Sequence, residues 1–220
     1  MGKIAKTLKK DWILLLLILA GFCMSIYFYP ALPDRVPSHW NIHGEIDGYM
    51  NRFWGAFLMP LMNAGFYFFF IFLPYLDPRK NNYNYFSSAY RAIRYMLHIF
   101  FVGIQIVTLM AALGYPIKIQ VIVPAGVSLL FILLGNVMGK VKHNYFVGIR
   151  TPWTLSNEEV WRKTHRLAGP LWVAGGILCL ILSFLNSRIT SMLFFLVIVI
   201  IAAVPTVYSY ILFRNDMNGK

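Results

Sequence analysis

Apolar residues in this chain fall into six long blocks, and most charges fall between them. The blocks lie at about 12–29, 53–76, 90–113, 119–138, 170–185 and 192–213. At ~1.5 Å of rise per residue, blocks of roughly 16–24 residues suit a hydrocarbon core of ~30 Å. Lipid offers no water to unpaired backbone amides, so every block is predicted to be a helix. The pattern therefore predicts an all-α, polytopic, multi-pass cell-membrane protein with about six transmembrane helices.

Polar segments punctuate the blocks. Pro30 and Pro33 end the first one. The 31–52 segment holds Pro33, Pro37, Gly44 and Gly48, which predicts a turn-rich loop, extended in places. In the 139–169 segment, Ser156 and Glu159 have the spacing of a capping box, so a helix is expected from Asn157. Glu158 and Glu159 suit its positive N-terminus, and Arg162, Lys163 and Arg166 its negative end. Glu158 with Arg162 and Glu159 with Lys163 are i,i+4 pairs. Val160, Trp161, Thr164, Leu167 and Ala168 form an apolar stripe. These features predict a short cytoplasmic interfacial helix between helices 4 and 5, closed by Gly169 and Pro170.

Composition agrees with a lipid environment. The chain is 59% hydrophobic and 13% charged, with a mean hydropathy of +0.62, whereas soluble domains carry ~25% charged residues. The net charge of +12 sets orientation. Sixteen of the twenty Lys and Arg residues lie on the side of the termini and the 139–169 segment. The positive-inside rule then puts both ends and that segment in the cytoplasm and 31–52 outside. The basic residues cluster at helix ends rather than in a stripe on a soluble face, so direct nucleic-acid binding is not expected. The basic N-terminus resembles a signal peptide, but its apolar core exceeds the usual ~7–15 residues and no small-x-small site follows, so a retained helix is expected. Cys23 and Cys179 sit inside apolar blocks as small packers and imply neither a disulfide framework nor a paired-cysteine metal motif.

Three groups of residues could carry chemistry. The outer loop brings together His39, Trp40, Asn41, Gly44 and Asp47, with His43 and Glu45. His39 and His43 would share one face of a helix, but Gly44 and Gly48 favour turns. A closed zinc site needs about four well-spaced ligands. No metal or cofactor is assigned, and His39 and His43 stay as the metal candidates. The alternative is an ordered interfacial loop with Trp40 and Trp54 at headgroup level. The second group is cytoplasmic: Asn136, Arg150, Thr151, Pro152, Trp153, Glu158, Trp161, His165 and Arg166. Arg150 and Trp153 flank Pro152, where a guanidinium can stack on indole or pair with a carboxylate. These residues read either as a partner-binding surface or as a folded cap over the helix ends. The third group, Arg91, Arg94, Tyr95 and His98, lies along one helical face. It reads as snorkelling side chains, or as a site for anionic lipid or for Glu158 and Glu159.

No Asp or Glu lies within a span, which counts against ion-coupled transport. Asn63, His98, Gln105 and Asn136 are the notable polar groups. No His-Glu-x-x-His, nucleophile elbow or P-loop is present, so catalysis is not expected.

The run Gly148-Ile149-Arg150-Thr151-Pro152-Trp153-Thr154-Leu155 resembles the central motif of the SdpI family of bacterial membrane immunity proteins. Glu159-Val160-Trp161 and Thr164-His165-Arg166-Leu167-Ala168-Gly169 resemble its continuation, and Gly135, Asn136 and Met138 its approach. The outer stretch from Leu32-Pro33 through Pro37, His39 and Trp40 to Gly44 and Asp47 is similar to the N-terminal domain often joined to that family. The resemblance implies two regions: 1–113, with three spans and the external loop, and 114–220, SdpI-like, with three spans and the cytoplasmic segment. It implies immunity against a secreted toxic peptide. In some members it also implies signalling, in which a cytoplasmic transcriptional repressor is held at the membrane. Membrane lipids are the remaining expected partner. The rival readings are a small-molecule or ion transporter and a metal-dependent membrane enzyme.

Overall fold

The computed structural model describes residues 10–41, 44–185 and 187–218. Helix α1 (Trp12–Phe28) ends in a 3₁₀ turn at Tyr29–Ala31, followed by strands β1 (Arg35–Trp40) and β2 (Ile46–Asn51). Then come α2 (Arg52–Leu76), a 3₁₀ segment at Lys80–Asn84, α3 (Ser87–Ala112), α4 (Ile119–Met138), the short α5 (Pro152–Ser156), α6 (Glu158–Leu185) and α7 (Arg188–Asn218). Six of these helices are long and apolar enough to cross a membrane. Their outward faces carry Leu16, Leu19, Phe68, Phe72, Phe184, Phe195 and Val199, while Ser25, Asn63, Gln105, Ser128 and Ser209 are buried. Apolar outside and small or polar inside is the arrangement expected when lipid, not water, surrounds the protein.

One compact unit is built from residues 1–71 and 94–126, the other from 72–93 and 127–220. In the first, Leu14, Ile18, Tyr67 and Ile71 form one apolar cluster, and Leu32, Val36, Ala56 and Leu109 a second. The loop expected at 31–52 is an antiparallel hairpin, pairing Val36 with Met50 and His39 with Gly48, with irregular register on either side of His39. It docks on α2, where Gly55 leaves room for Val36. Asn51 Oδ1 accepts the Trp54 amide at 3.0 Å and caps α2.

Two expectations need correction here. Arg94 does not snorkel. It is buried and pairs with buried Asp11, just ahead of α1, at 2.5 Å. A charge held by a neighbouring helix has no need to reach water. Nor is 157–168 a separate interfacial helix, because α6 runs unbroken from Glu158 through Pro170 into the fifth span. Pro170 removes one ladder bond, but Gly169 has no Cβ to clash with its ring. That glycine also lets α6 approach α4 closely: a Cβ on Gly169 would lie 3.0 Å from the Gly135 carbonyl.

Candidate functional site

The second unit carries a cap of irregular backbone, residues 139–151, held by side chains at almost every step. Buried Asn144 organises its own turn. Its Oδ1 accepts the Phe146 and Val147 amides at 2.8 and 2.7 Å, and its Nδ2 donates to the Lys142 and Val147 carbonyls. Gly148 follows with φ +113°, in the region that favours glycine, and a Cβ there would collide with the His165 ring.

Trp161 and His165, one turn apart at the start of α6, are the floor of the cap. Both are buried, and their rings stack with centroids 4.1 Å apart. Trp161 Nε1 donates to the Val141 carbonyl at 2.9 Å. His165 Nε2 accepts the Ile149 amide at 2.9 Å, so Nδ1 carries the hydrogen donated to the Trp161 carbonyl at 2.8 Å. One indole and one neutral imidazole thus hold the loop at both its ends.

Thr151 caps α5. Its hydroxyl accepts the Thr154 amide and the Thr154 hydroxyl accepts the Thr151 amide in return, with Pro152 at the first helical position. Three contacts bind this turn to α7. Thr151 Oγ1 lies 3.0 Å from Ser209 Oγ, Trp153 packs on Tyr210, and Asn157 Nδ2 donates to Asp216. The cap of α6 is Asn157, not Ser156. Asn157 Oδ1 accepts the Glu159 and Val160 amides, while the Ser156 hydroxyl turns back to the Trp153 carbonyl. Glu159 takes both cations, Arg162 through two bonds and Lys163 at 3.4 Å, in place of the expected Glu158–Arg162 pair.

Arg150 is exposed and donates to the Tyr145 carbonyl at 3.2 Å, so it neither stacks on Trp153 nor meets a carboxylate. Glu158, Arg166 and Asn136 are also exposed, and Asn136 lies on α4 outside the cap. The structure therefore divides the nine candidates between Asn136 and Arg166. Thr151, Trp161 and His165 are buried supports, Pro152 and Trp153 shape the α5 turn, and Arg150, Glu158 and Arg166 face outward.

The supporting loop at 77–84 is a feature that motif reading misses. Buried Asp77 accepts the Arg79 amide, the Tyr145 amide and the Tyr83 hydroxyl. Arg79 donates to the Leu155 carbonyl and lies over the Tyr145 ring, and Asn82 donates to the His143 carbonyl at 2.7 Å. Burial, and then Asp77 itself, push the Tyr83 hydroxyl well above its ordinary range, so it remains a donor. The Asp77-Pro78 pair marks a turn in sequence, but nothing local shows that the carboxylate reaches residue 145.

His143 Nε2 donates to the Leu155 carbonyl at 3.2 Å. Burial, and then Arg79, hold its pKa below the ordinary 6.5. An unfolded cap accepts a proton first as pH falls below that value. The His143 contribution is thus present above pH ~6.5 and is lost as pH falls from there toward the lower folded value. Amide protection at 143–155 is expected to weaken between pH 7.5 and 5.5, and His143→Gln to flatten that slope. An identical slope in the variant would assign the effect elsewhere.

The hairpin tip is closed by its own side chains. His39 Nδ1 lies 2.5 Å from Asp47 Oδ1, and Asn41 exchanges bonds with Glu45. Gly44 has φ +80° at the turn, and Trp40 is half-buried. His43 lies outside the described residues. Among the described residues no three His, Cys, Asp or Glu side chains come together as metal ligands.

Comparison with known proteins matches both parts of this architecture. A profile of the SdpI/YfhL protein family matches residues 140–209, which hold most of the cap with α5, α6 and much of α7. A domain of unknown function, DUF1648, matches residues 16–64, which hold the hairpin. The chain is 27% identical over 213 residues to the immunity protein SdpI of Bacillus subtilis (strain 168), covering 97% of this chain and 100% of that protein. It is also 33% identical over 49 residues to the uncharacterized membrane protein YbgB of the same organism, covering 22% of this chain and 54% of that one. No solved structure matches it significantly. The cap motif, the six spans and the full-length likeness thus agree in making this chain similar to the SdpI/YfhL family over residues 140–209, with a DUF1648 match on its N-terminal side.

Proposed function

We propose that this protein protects the cell membrane from a secreted toxic peptide, acting by binding and not by catalysis. The observation that carries the reading is likeness along the whole length of a protein named for immunity. The outer hairpin, with Tyr49 about half exposed and half-exposed Trp54 just beyond it on α2, is the surface a peptide arriving from outside would meet first. The cap offers Arg150, Glu158 and Arg166 to the cytoplasm, and in this reading it receives a transcriptional repressor when the outer face is engaged. A transport reading draws on the buried Asp11, Arg94 and His98. Their charges are already matched inside the protein, which favours binding.

The test is survival and membrane potential of sensitive cells expressing the protein, challenged with the secreted peptide encoded nearest its gene. Retained potential is expected, and collapse despite verified membrane expression would refute immunity to that peptide. Arg150→Ala is expected to keep the protein in the membrane and to abolish retention of a co-expressed repressor there. Loss of the protein from the membrane fraction would instead make Arg150 a folding residue.

A further inference from the structure

Near the middle of α3, His98 is fully buried between helices. Asn63 on α2 fixes its tautomer. Asn63 Nδ2 donates to the His98 backbone carbonyl at 3.4 Å, which turns Asn63 Oδ1 toward His98 Nδ1. That oxygen only accepts, so Nδ1 carries the hydrogen. Nε2 is then a bare lone pair, buried and without a hydrogen-bond partner among the described residues. One turn toward the cytoplasm, Arg94 bonds Asp11 through Nη2 and leaves its Nε–H unpartnered and buried as well. The Tyr67 ring lies near both groups, 5.6 Å from the guanidinium and 5.9 Å from the imidazole. Its hydroxyl lies beside the Asp11–Arg94 pair without completing a bond.

An unmatched acceptor and an unmatched donor one helical turn apart call for a ligand that is both donor and acceptor. Among the described residues the formal charges at this place, Asp11 and Arg94, neutralise one another, so the ligand should be neutral and small. We propose that Tyr67, Arg94 and His98 enclose a hydration site. Water there donates to His98 Nε2 and accepts from Arg94 Nε–H, and it links the imidazole to the cytoplasmic end for proton exchange. This proposal is independent of the immunity reading.

Deuterium exchange at the histidine Cε1–H, read by mass spectrometry on the full chain in nanodiscs, tests it. That exchange needs a ring that can be protonated and reached by water. His165 is the internal comparator: equally buried, but with both nitrogens occupied by protein. His98 is expected to exchange about tenfold or more faster than His165, because it needs no opening of the fold. Equal or slower exchange at His98 overturns the proposal and marks the site as dry. Global unfolding would bring the two rates together and so cannot mimic the expected result.

Discussion

Arg94→Ala is expected to remove most of the folded protein. The substitution leaves the Asp11 carboxylate buried, with side-chain exposure of 2%, and facing no cation. Breaking a buried pair from one side costs ~3–5 kcal/mol, because the remaining charge has neither water nor partner. For a chain of this size that corresponds to a fall in melting temperature on the order of 10 °C. Replacing both partners, Asp11→Asn with Arg94→Gln, removes the charges together and is expected to recover at least half of the loss. Fluorescence-detected size-exclusion after graded heating would read all three proteins. A single variant as stable as the parent, or a double variant as damaged as the single, would show that the pair does not hold the first unit together.

The second large effect is expected at the cap. Trp161→Ala empties a site buried to 1% exposure, takes the donor from the Val141 carbonyl and unstacks His165. Truncating a buried Trp costs ~3–5 kcal/mol. Here that loss should fall on residues 141–155 rather than on membrane insertion, because the apolar span of α6 lies further along the chain. Hydrogen exchange should show lost protection across 141–155 with the spans unchanged. Trp161→Phe keeps a ring and gives up mainly one hydrogen bond, so a loss of roughly 1 kcal/mol is expected. Unchanged protection in the Ala variant would remove Trp161 from its place as the floor of the cap.

Spans and their order were legible because lipid allows one backbone solution to a long apolar run. The block at 119–138 coincides with α4. The fifth block was read short at its start, since Pro170 looks like a stop signal. What carries the helix through is a missing Cβ at Gly169 and the close pass of α4, and neither is visible along the chain. The hairpin was hidden by the prolines and glycines that shape it, which read as turns. The cap motif was legible as a string, but the division of labour within it was not. Sequence cannot distinguish His165, whose ring accepts the Ile149 amide, from Arg166, which is exposed. Buried polar pairs were the least legible. Asp11 to Arg94 spans 83 positions and Asp77 to Tyr145 spans 68, so no local pattern ties them. Arg94 read as a snorkelling cation because its partner sits outside any apolar block.

The unbroken run of α6 has a mechanical meaning. Twenty-eight residues in one helix form a rod of roughly 42 Å, longer than the hydrocarbon layer is thick. One end lies at Leu185 and the other carries Trp161 and His165. With no separate interfacial helix, continuous helix joins the two, weakened where Pro170 removes a ladder bond. A rotation of about 10° around the midpoint would move Glu158 by about 4 Å on this geometry. The same rotation would carry the floor of the cap with it, so a push at the Leu185 end would be delivered to the cap as a displacement of Arg162 and Arg166.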